Sequence, residues 1–199
     1  MSKLIVLLIA FLLGSIPFGL LVGRYLKGID IRKYGSGNIG TTNAFRILGP
    51  KGGMMVLTGD ILKGVVAVLL GRSYGGEVLA ILAGLAAIAG HNWSIFLGFK
   101  GGRGVATGAG VILGLIPSVT LSLVVVWVVT LLLTRYVSLA SIVAAVCTPL
   151  FMWIFTHSWA YLLFGFAAGA FVIYRHRPNI QRLRKGTEPR IGEGRTRLK

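Results

Sequence analysis

The feature that most constrains this chain is a series of apolar stretches, each long enough for a membrane helix, that follow one another with short interruptions. Hydrophobic residues make up 55% of the 199 residues and charged residues 13%, about half the charged share of soluble domains. These runs are too long for barrel strands, so they indicate an all-α integral membrane protein. We predict about seven transmembrane helices, near residues 4–23, 53–71, 77–97, 104–116, 118–134, 137–155 and 158–174.

The stretch 104–134 forms either one long tilted helix or two short helices that separate at Pro117. Lys and Arg are concentrated in three segments, while the connections 72–76, 115–118 and 156–158 contain only Arg72. The basic segments are 24–51, 98–103 and the tail 175–199. Since basic segments stay on the cytoplasmic side of a membrane, and only the split places all three on one side, we predict seven spans. The N-terminus is then outside and the C-terminus cytoplasmic.

The chain is strongly basic, with a formal net charge of +16 from 21 Lys and Arg against five Asp and Glu. In a soluble protein such a charge would suggest a nucleic-acid partner. Here the cations cluster in loops and the tail, so membrane topology explains them first and an anionic substrate second. We expect membrane lipid around the chain and no nucleic acid. The single cysteine, Cys147, lies in an apolar run, which excludes a disulfide framework.

The connection 33–46 has the composition of an anion-binding site. It is rich in glycine and small donors, and it contains no carboxylate. Glycine lets backbone N–H groups approach a phosphate closely, and Arg46 can hold a phosphate through two hydrogen bonds. The alternative is a flexible loop whose cations only mark the cytoplasmic side.

A second glycine-rich segment joins the third and fourth predicted spans. Residues 90–94 are followed by 98–107, in which Lys and Arg alternate with glycine directly before a helix start. A cationic glycine turn at a helix N-terminus is suited to hold a phosphate. It is not a Walker A sequence, so it does not indicate an ATPase. The alternative is that these glycines serve close helix packing.

Two charged residues fall inside the second predicted span. Asp60 and Lys63 are three residues apart and therefore lie on one helix face. Charges at this depth are costly, and they usually serve a function or pair with each other. The sequence leaves both interpretations open.

Further polar residues stand where the last two spans meet the cytoplasm. His176 and Asn179 are three residues apart and followed by Glu188, so they could face one ligand or belong to a basic segment that touches anionic lipid. Ser138 and Ser141 start span six, where capping of the helix and ligand contact are both possible.

The sequence shows no metal-ligand cluster and no Ser-His-Asp arrangement. We therefore expect neither a metal nor a cofactor. No repeat divides the chain, and we predict a single transmembrane domain over residues 1–199.

These motifs resemble the bacterial membrane acyl-phosphate:glycerol-3-phosphate acyltransferases, the PlsY family. The matching stretches are 15–19, 35–43 with Arg46, 60–64, 90–92, 99–107 and 175–183 with Gly186 and Glu188. They extend over nearly the whole chain in the family's order. The resemblance implies transfer of a fatty acyl group from acyl phosphate to the 1-hydroxyl of sn-glycerol 3-phosphate, in phospholipid biosynthesis. It also implies the bacterial cytoplasmic membrane, a site on its cytoplasmic side, and a functional link to the enzyme that forms acyl phosphate.

The resemblance assigns roles to individual positions. It implies that Ser36, Arg46, His176 and Asn179 act in catalysis, that Lys100, Gly101, Gly102, Arg103 and Gly104 bind glycerol 3-phosphate, and that Glu188 maintains the structure. From the chemistry of the residues we add Asn38, Thr41, Asn43 and Ser141 as substrate-binding and Asp60, Lys63, His91 and Asn92 as supporting residues.

The chemistry of such a reaction agrees with the cationic composition, because both substrates carry phosphate. The H-x-x-x-x-D dyad of acyl-CoA acyltransferases is absent: Phe96, Leu162 and Gln181 stand five residues after the three histidines. The general base is left open among His91, His176, Asp60 and the phosphate of the acceptor itself, which we favour. The competing hypothesis is a transporter for an organic phosphate, supported by helix N-termini that face an anion.

Overall fold

The computed structural model describes residues 2–192, which fold into α-helices, two short 3-10 turns and connecting loops, without a β-strand in that part of the chain. The helices are α1 (Lys3–Ser15), α2 (Phe18–Lys27), α3 (Thr41–Asn92), α4 (Val105–Leu115), α5 (Pro117–Thr134), α6 (Val137–Thr156), α7 (Trp159–Arg175) and α8 (Arg177–Arg184). The last seven residues of the predicted basic tail, 193–199, lie outside the described residues.

The first predicted span is interrupted between α1 and α2. Pro17 lacks a backbone N–H and keeps the preceding residue out of the helical region, and Ile16 accordingly has φ −56° and ψ 118°. The break leaves the Ile16 carbonyl free to accept a hydrogen bond from Lys63 Nζ at 3.0 Å. The predicted span near 4–23 lies within the apolar stretch Lys3–Lys27, which this break divides into α1 and α2.

Helix α3 contains two predicted spans and the turn between them. Its backbone leaves the helical region at Gly49 and again at Gly75 and Gly76. A Cβ on Gly71 would stand 2.6 Å from the Leu79 carbonyl oxygen, which places the arms 50–74 and 77–92 side by side. The helix also begins earlier than predicted, at Thr41, so the second half of the first motif is helical.

The predicted separation at Pro117 is confirmed, since α4 ends at Leu115 and α5 begins with Pro117 at its first turn. Proline fits the first helical turn because no intrahelical bond needs its missing N–H. The 11 residues of α4 span about 16 Å at 1.5 Å per residue. This is about half the thickness of a bilayer's hydrocarbon core.

Four helical stretches of the described chain are long and apolar enough to cross a membrane, and two shorter apolar helices accompany them. The long stretches are Lys3–Lys27, Thr41–Leu97, Pro117–Thr134 and Val137–Thr156, and the shorter helices are Val105–Leu115 and Trp159–Arg175. Because Thr41–Leu97 folds back on itself, these segments account for the seven apolar helices that the sequence predicts. The orientation of the termini stays a prediction.

Small residues bring the helices together. A Cβ on Gly90 would overlap the backbone of α1 at Phe11, and a Cβ on Gly14 would overlap Ala87. In the same way Gly64 of α3 lies against the backbone of α4 at Thr107. Such close approach is the usual way in which membrane helices gain packing energy. The start of α4 also lies beside the end of α3, because a Cβ on Gly104 would stand 2.9 Å from Asn92 Oδ1. The candidate site lies near this point.

The orientation predicts which positions an impermeant thiol reagent can reach. In a background that lacks Cys147, single cysteines in place of Gly37 or Gly186 should react only once the cytoplasmic face is opened. A cysteine in place of Ser73, in the connection between the two arms of α3, should react from outside. Labelling of position 186 in intact cells would reverse the predicted topology.

Candidate functional site

The loop that precedes α3 is held in shape by Asn43. Its amide nitrogen donates to the carbonyls of Ile31, Tyr34 and Asn38 at 3.3, 3.2 and 2.9 Å, and its oxygen accepts from the Ser36 N–H at 3.0 Å. The side chain is 2% exposed, and both of its polar atoms are hydrogen-bonded to backbone groups. Asn43 therefore shapes the loop from beneath and does not line the cavity described below, and its contact with substrate stays a prediction.

Other residues of this motif face outward or sit at the helix start. Ser36 is exposed, and Asn38 folds the loop back by accepting the Gly40 N–H at 2.7 Å. Thr41 begins α3, and its buried hydroxyl has no partner among the described residues. Arg46 is half-buried one turn further along the helix. The loop thus presents small donors around a helix N-terminus.

The glycine loop 98–104 is held from two sides. The Gly102 N–H donates to the His91 carbonyl at 3.0 Å. From the opposite side, Arg175 donates through Nε to the Gly102 carbonyl and through Nη2 to the Gly101 carbonyl, both at 2.9 Å. Gly104 has φ 80° and forms the N-cap of α4. The loop therefore has a defined conformation without a bound ligand.

Two of these glycines are required by packing as well. A Cβ on Gly101 would overlap the His91 carbonyl, and a Cβ on Gly102 would overlap the His91 ring. Lys100 is exposed at the start of the turn, while Arg103 is half-buried just before α4. Close packing and phosphate binding are compatible here, because Gly101 packs against His91 and also lines the cavity with Arg103.

At the end of α7 the chain turns into α8 around His176 and Asn179, both 1% exposed. His176 Nδ1 lies 2.8 Å from the Val172 carbonyl and donates to it, which leaves Nε2 as the acceptor of the neutral ring. Burial lowers the pKa of His176 to about 4. The ring is therefore uncharged at neutral pH.

Glu188 returns from the C-terminal segment to join these residues. Its carboxylate accepts from Asn179 Nδ2 and from Arg182 Nε, both at 2.6 Å. Burial raises the pKa of Glu188, but hydrogen bonds from its neighbours, Asn179 and Arg182 among them, lower it by more. The resulting pKa lies below the ordinary value, so the carboxylate is charged and anchors α8 to the segment that follows it.

The three segments meet around an open cavity of about 420 Å³. Its lining residues come from the loop before α3, the glycine loop, the end of α7 and α8. They are Ser36, Gly37, Asn38, Gly101, Arg103, Tyr174, Arg175, Arg177, Pro178 and Arg182. Residues that are more than 130 positions apart in the sequence thus form one surface, as expected for an anion site assembled from separate basic loops.

The cavity has a large excess of positive charge. Arg182 pairs with Glu188, but the lining residues Arg103 and Arg177 have no carboxylate within 4 Å in the described part of the chain. Arg46 does not line the cavity, and it too has no such carboxylate among the described residues. Burial, together with repulsion from Arg182, Arg46 and Arg175, lowers the pKa of Arg103 to about 10. The guanidinium remains charged at neutral pH, and an anion in the cavity would relieve this repulsion.

Asp60, Lys63 and His91 form a buried cluster beneath the glycine loop. Lys63 Nζ lies 2.8 Å from Asp60 Oδ1 and 2.9 Å from His91 Nδ1. The neighbouring Asn92 is fully buried and lies against Gly104, and neither of its side-chain polar atoms has a partner among the described residues. None of the four lines the cavity. Their supporting role stays a prediction.

Ser141 does not line the cavity. Its hydroxyl donates to the Val137 carbonyl at 2.8 Å and accepts from Trp127 Nε1 at 3.2 Å. The contact of Ser141 with substrate therefore stays a prediction that the geometry of the cavity does not support. The alternative role in capping also does not apply, because Tyr136 is the N-cap of α6 and makes no side-chain cap bond.

Six residues that line the cavity are missing from the predicted site residues. They are Gly37, Tyr174, Arg175, Arg177, Pro178 and Arg182. The sequence does show a run of arginines over 175–184. Membrane topology explains basic residues next to a cytoplasmic helix end equally well, so the run did not indicate a binding site. Only the fold shows that Arg175 turns toward the glycine loop. No group of three His, Cys, Asp or Glu side chains in the described chain could hold a metal ion.

The paired Glu188 makes a testable contribution to stability. Its folded pKa is depressed, so its stabilisation is present above the unfolded pKa and is lost as the pH falls through the folded pKa. Glu188→Gln should therefore flatten the acid limb of stability, measured as melting temperature in detergent between pH 7 and pH 3. Glu77→Gln, at an exposed position remote from the site, serves as the control. An acid limb in Glu188→Gln as steep as in the wild type would contradict the expectation.

Comparison with known proteins identifies the chain's relatives. A family model described as glycerol-3-phosphate acyltransferase matches residues 4–186. Glycerol-3-phosphate acyltransferase 2 of Moorella thermoacetica is 55% identical over 190 residues, which cover 96% of this chain and 98% of that protein. The glycerol-3-phosphate acyltransferase of Desulforudis audaxviator is 50% identical over 194 residues, with coverage of 96% and 98%.

Two solved structures share the fold. Both are crystal structures of PlsY (YgiH), an integral membrane glycerol 3-phosphate acyltransferase, one in the glycerol 3-phosphate form and one in the lysophosphatidic acid form. The TM-scores are 0.90 and 0.89, with 44% sequence identity and 96% of each chain covered.

Proposed function

Because the chain belongs to the glycerol-3-phosphate acyltransferase family, we propose that it transfers a fatty acyl group from acyl phosphate to the 1-hydroxyl of sn-glycerol 3-phosphate. The products are lysophosphatidic acid and inorganic phosphate, and the reaction takes place at the cytoplasmic face of a bacterial inner membrane. The observation that carries this proposal is the cavity lined by arginines, glycine-loop backbone and Ser36, in which the cations greatly outnumber the carboxylates.

The acceptor and product are supported by the relatives. The solved relatives are described as glycerol 3-phosphate and lysophosphatidic acid forms of the same enzyme. A cavity of about 420 Å³ falls in the range of about 300–1,000 Å³ typical of small-molecule sites. It has room for a glycerol phosphate and the phosphate end of an acyl donor, while the acyl chain extends toward the membrane.

The donor is supported by the chemistry of the cavity. In the proposed step the oxygen of the 1-hydroxyl forms a bond to the acyl carbonyl carbon. The bond between that carbon and the phosphate oxygen breaks, and inorganic phosphate leaves with the electron pair. Phosphate is a good leaving group, so correct positioning and neutralisation of charge by arginines can supply most of the rate. No nucleophilic side chain is needed.

The proton of the attacking hydroxyl goes to a phosphate oxygen of the acceptor in this proposal. A phosphate monoester has a second pKa near 6 and is a competent base at neutral pH. His176 is a weaker candidate, because a pKa of about 4 gives it little tendency to hold a proton. His176 is also absent from the lining of the cavity, so a catalytic role for it stays a prediction.

The proposal predicts donor selectivity. Purified protein in detergent should form lysophosphatidic acid from glycerol 3-phosphate and acyl phosphate, and it should turn over acyl-CoA far more slowly. We expect this selectivity because the H-x-x-x-x-D dyad of acyl-CoA acyltransferases is absent. The small, arginine-lined cavity also suits a compact phosphate group. Product formation is followed with radiolabelled glycerol 3-phosphate at equal donor concentrations. Comparable rates with acyl-CoA would overturn the assignment of the donor.

A further inference from the structure

The side chain of Lys63 is fully used by three acceptors. Its Nζ lies 2.8 Å from Asp60 Oδ1, 2.9 Å from His91 Nδ1 and 3.0 Å from the Ile16 carbonyl oxygen. An ammonium group has three protons, so each acceptor receives one. The third acceptor exists only because Pro17 breaks the helix and frees the Ile16 carbonyl.

This arrangement fixes the protonation and direction of the His91 ring. Since Lys63 donates to Nδ1, the neutral ring carries its proton on Nε2. Asp60 Oδ1 is 3.5 Å from the same Nδ1 and is the more distant partner. The opposite edge of the ring, with Nε2, faces Gly102: a Cβ built there would overlap Nε2 and would lie 2.9 and 3.0 Å from Cε1 and Cδ2.

We propose that Asp60, Lys63 and His91 are positioning residues. They fix the position of the glycine loop above the His91 ring and thereby set the affinity of the site for the phosphate of the acceptor substrate. The inference rests on the proposed function, because it names the ligand of that loop. His91 contacts Gly102 through both its ring and its carbonyl, and Arg175 grips the same residue from the other side. The next residue, Arg103, reaches into the cavity.

Stability alone gives no reason for such a cluster. Asp60, Lys63 and His91 are 2%, 4% and 3% exposed, and burial of charge removes most of what an ion pair gains. Apolar side chains of similar size would hold α3 together equally well. What apolar side chains would lack is a rigid ring with a defined edge beneath Gly102. The cluster is therefore explained by the loop that it supports.

Two substitutions of His91 test the contact, because each keeps one edge of the ring. His91→Asn keeps an acceptor near Nδ1 for Lys63 and leaves space beneath Gly102. His91→Gln extends an amide to the Nε2 position. With steady-state kinetics at varied glycerol 3-phosphate, His91→Asn should raise KM about tenfold and His91→Gln about threefold, with kcat changed less. Equal KM values for both variants and the wild type would overturn the proposal.

The charged pair is tested by the double substitution Asp60→Asn with Lys63→Met, which leaves no buried charge unpaired. KM should rise about tenfold. The matched control is Thr148→Val, which changes a buried hydroxyl of α6 that bonds only its own helix at Ala144 and should leave KM unchanged. If the double variant cannot be purified as a monodisperse protein, the two His91 variants decide the question.

Coupling to Gly102 separates a positioning role from general destabilisation. A methyl group on Gly102 would collide with the His91 ring, so His91→Asn should relieve part of the damage done by Gly102→Ala. The combined variant should have a KM below that of Gly102→Ala alone. If the two effects on KM multiply instead, His91 and Gly102 act independently and the proposal is wrong.

A binding measurement keeps this inference distinct from the proposed function. Isothermal titration of the same variants with glycerol 3-phosphate should rank the Kd values as it ranks the KM values. If the wild type binds glycerol 3-phosphate but forms no product from acyl phosphate, the proposed reaction fails and Kd decides the role of the cluster. If turnover is normal and all variants keep the wild-type KM and Kd, only the cluster proposal fails. Absence of any binding would remove both.

Discussion

Arg46→Ala should lower kcat/KM for glycerol 3-phosphate by roughly 30- to 1000-fold, which corresponds to about 2–4 kcal/mol of lost transition-state binding. Arg46 lies half-buried in the first turns of α3, and no carboxylate stands within 4 Å of it in the described chain. Together with burial, its charge contributes to the lowered pKa of Arg103. Such a guanidinium is available for a phosphate because no protein group neutralises it.

The size of this effect depends on the planar fork of arginine as much as on its charge. Arg46→Lys keeps the charge and loses the two parallel donors, so its kcat/KM should lie between those of the wild type and Arg46→Ala. Lys51→Ala removes an exposed cation further along α3 and serves as the control for net charge. If Arg46→Ala and Lys51→Ala behave alike, Arg46 contributes only to the general field of the basic face.

The predicted membrane fold agrees with the structure because apolar length is a strong and local signal. The division at Pro117 followed from charge distribution, and the structure shows the physical reason, a proline in the first turn of α5. The break at Ile16 and Pro17 was not predicted, since hydropathy continues across it. The structural consequence of the break is a hydrogen bond from Lys63, 47 positions later in the sequence, to the Ile16 carbonyl.

The site was predicted as three separate segments, and the structure joins them around one cavity. What the sequence could not give is the direction of each side chain. Asn43 is of a residue type that often binds ligands, but its side-chain amide makes four hydrogen bonds with backbone groups. In the sequence, Arg175 is a basic residue at a helix end and is explained by membrane topology. In the structure its guanidinium donates hydrogen bonds to two carbonyls of the glycine loop. The residue type shows that a side chain can form hydrogen bonds, whereas tertiary packing decides which partner it bonds to.

Two helix N-termini, at Thr41 and Val105, directly follow loops that line the cavity. The start of α6 does not contribute a lining residue. Its serine hydroxyl at position 141 is tied to Val137 and Trp127 instead.

Gly102→Ala should raise KM for glycerol 3-phosphate more than it lowers kcat. The added Cβ would overlap the His91 ring, and the ring is held by Lys63, so the loop must move. Displacement of a binding group by about 1 Å can cost about 100-fold. Arg46 lies on α3 and remains in place, so we expect the chemical step to be affected less than the binding of the acceptor.

A matched control lies one helical turn into α4. Gly108→Ala also adds one methyl group, but the nearest atom to it would be Ile88 Cδ1 at 3.9 Å, an ordinary contact. Alanine also favours the helix by about 1 kcal/mol, so Gly108→Ala should retain both KM and melting temperature. Kinetics are measured at varied glycerol 3-phosphate and normalised to monodisperse protein. If Gly102→Ala only lowers the yield of folded protein while KM stays at the wild-type value, the glycine loop belongs to the scaffold, and Arg46 and Arg103 must hold the phosphate without it.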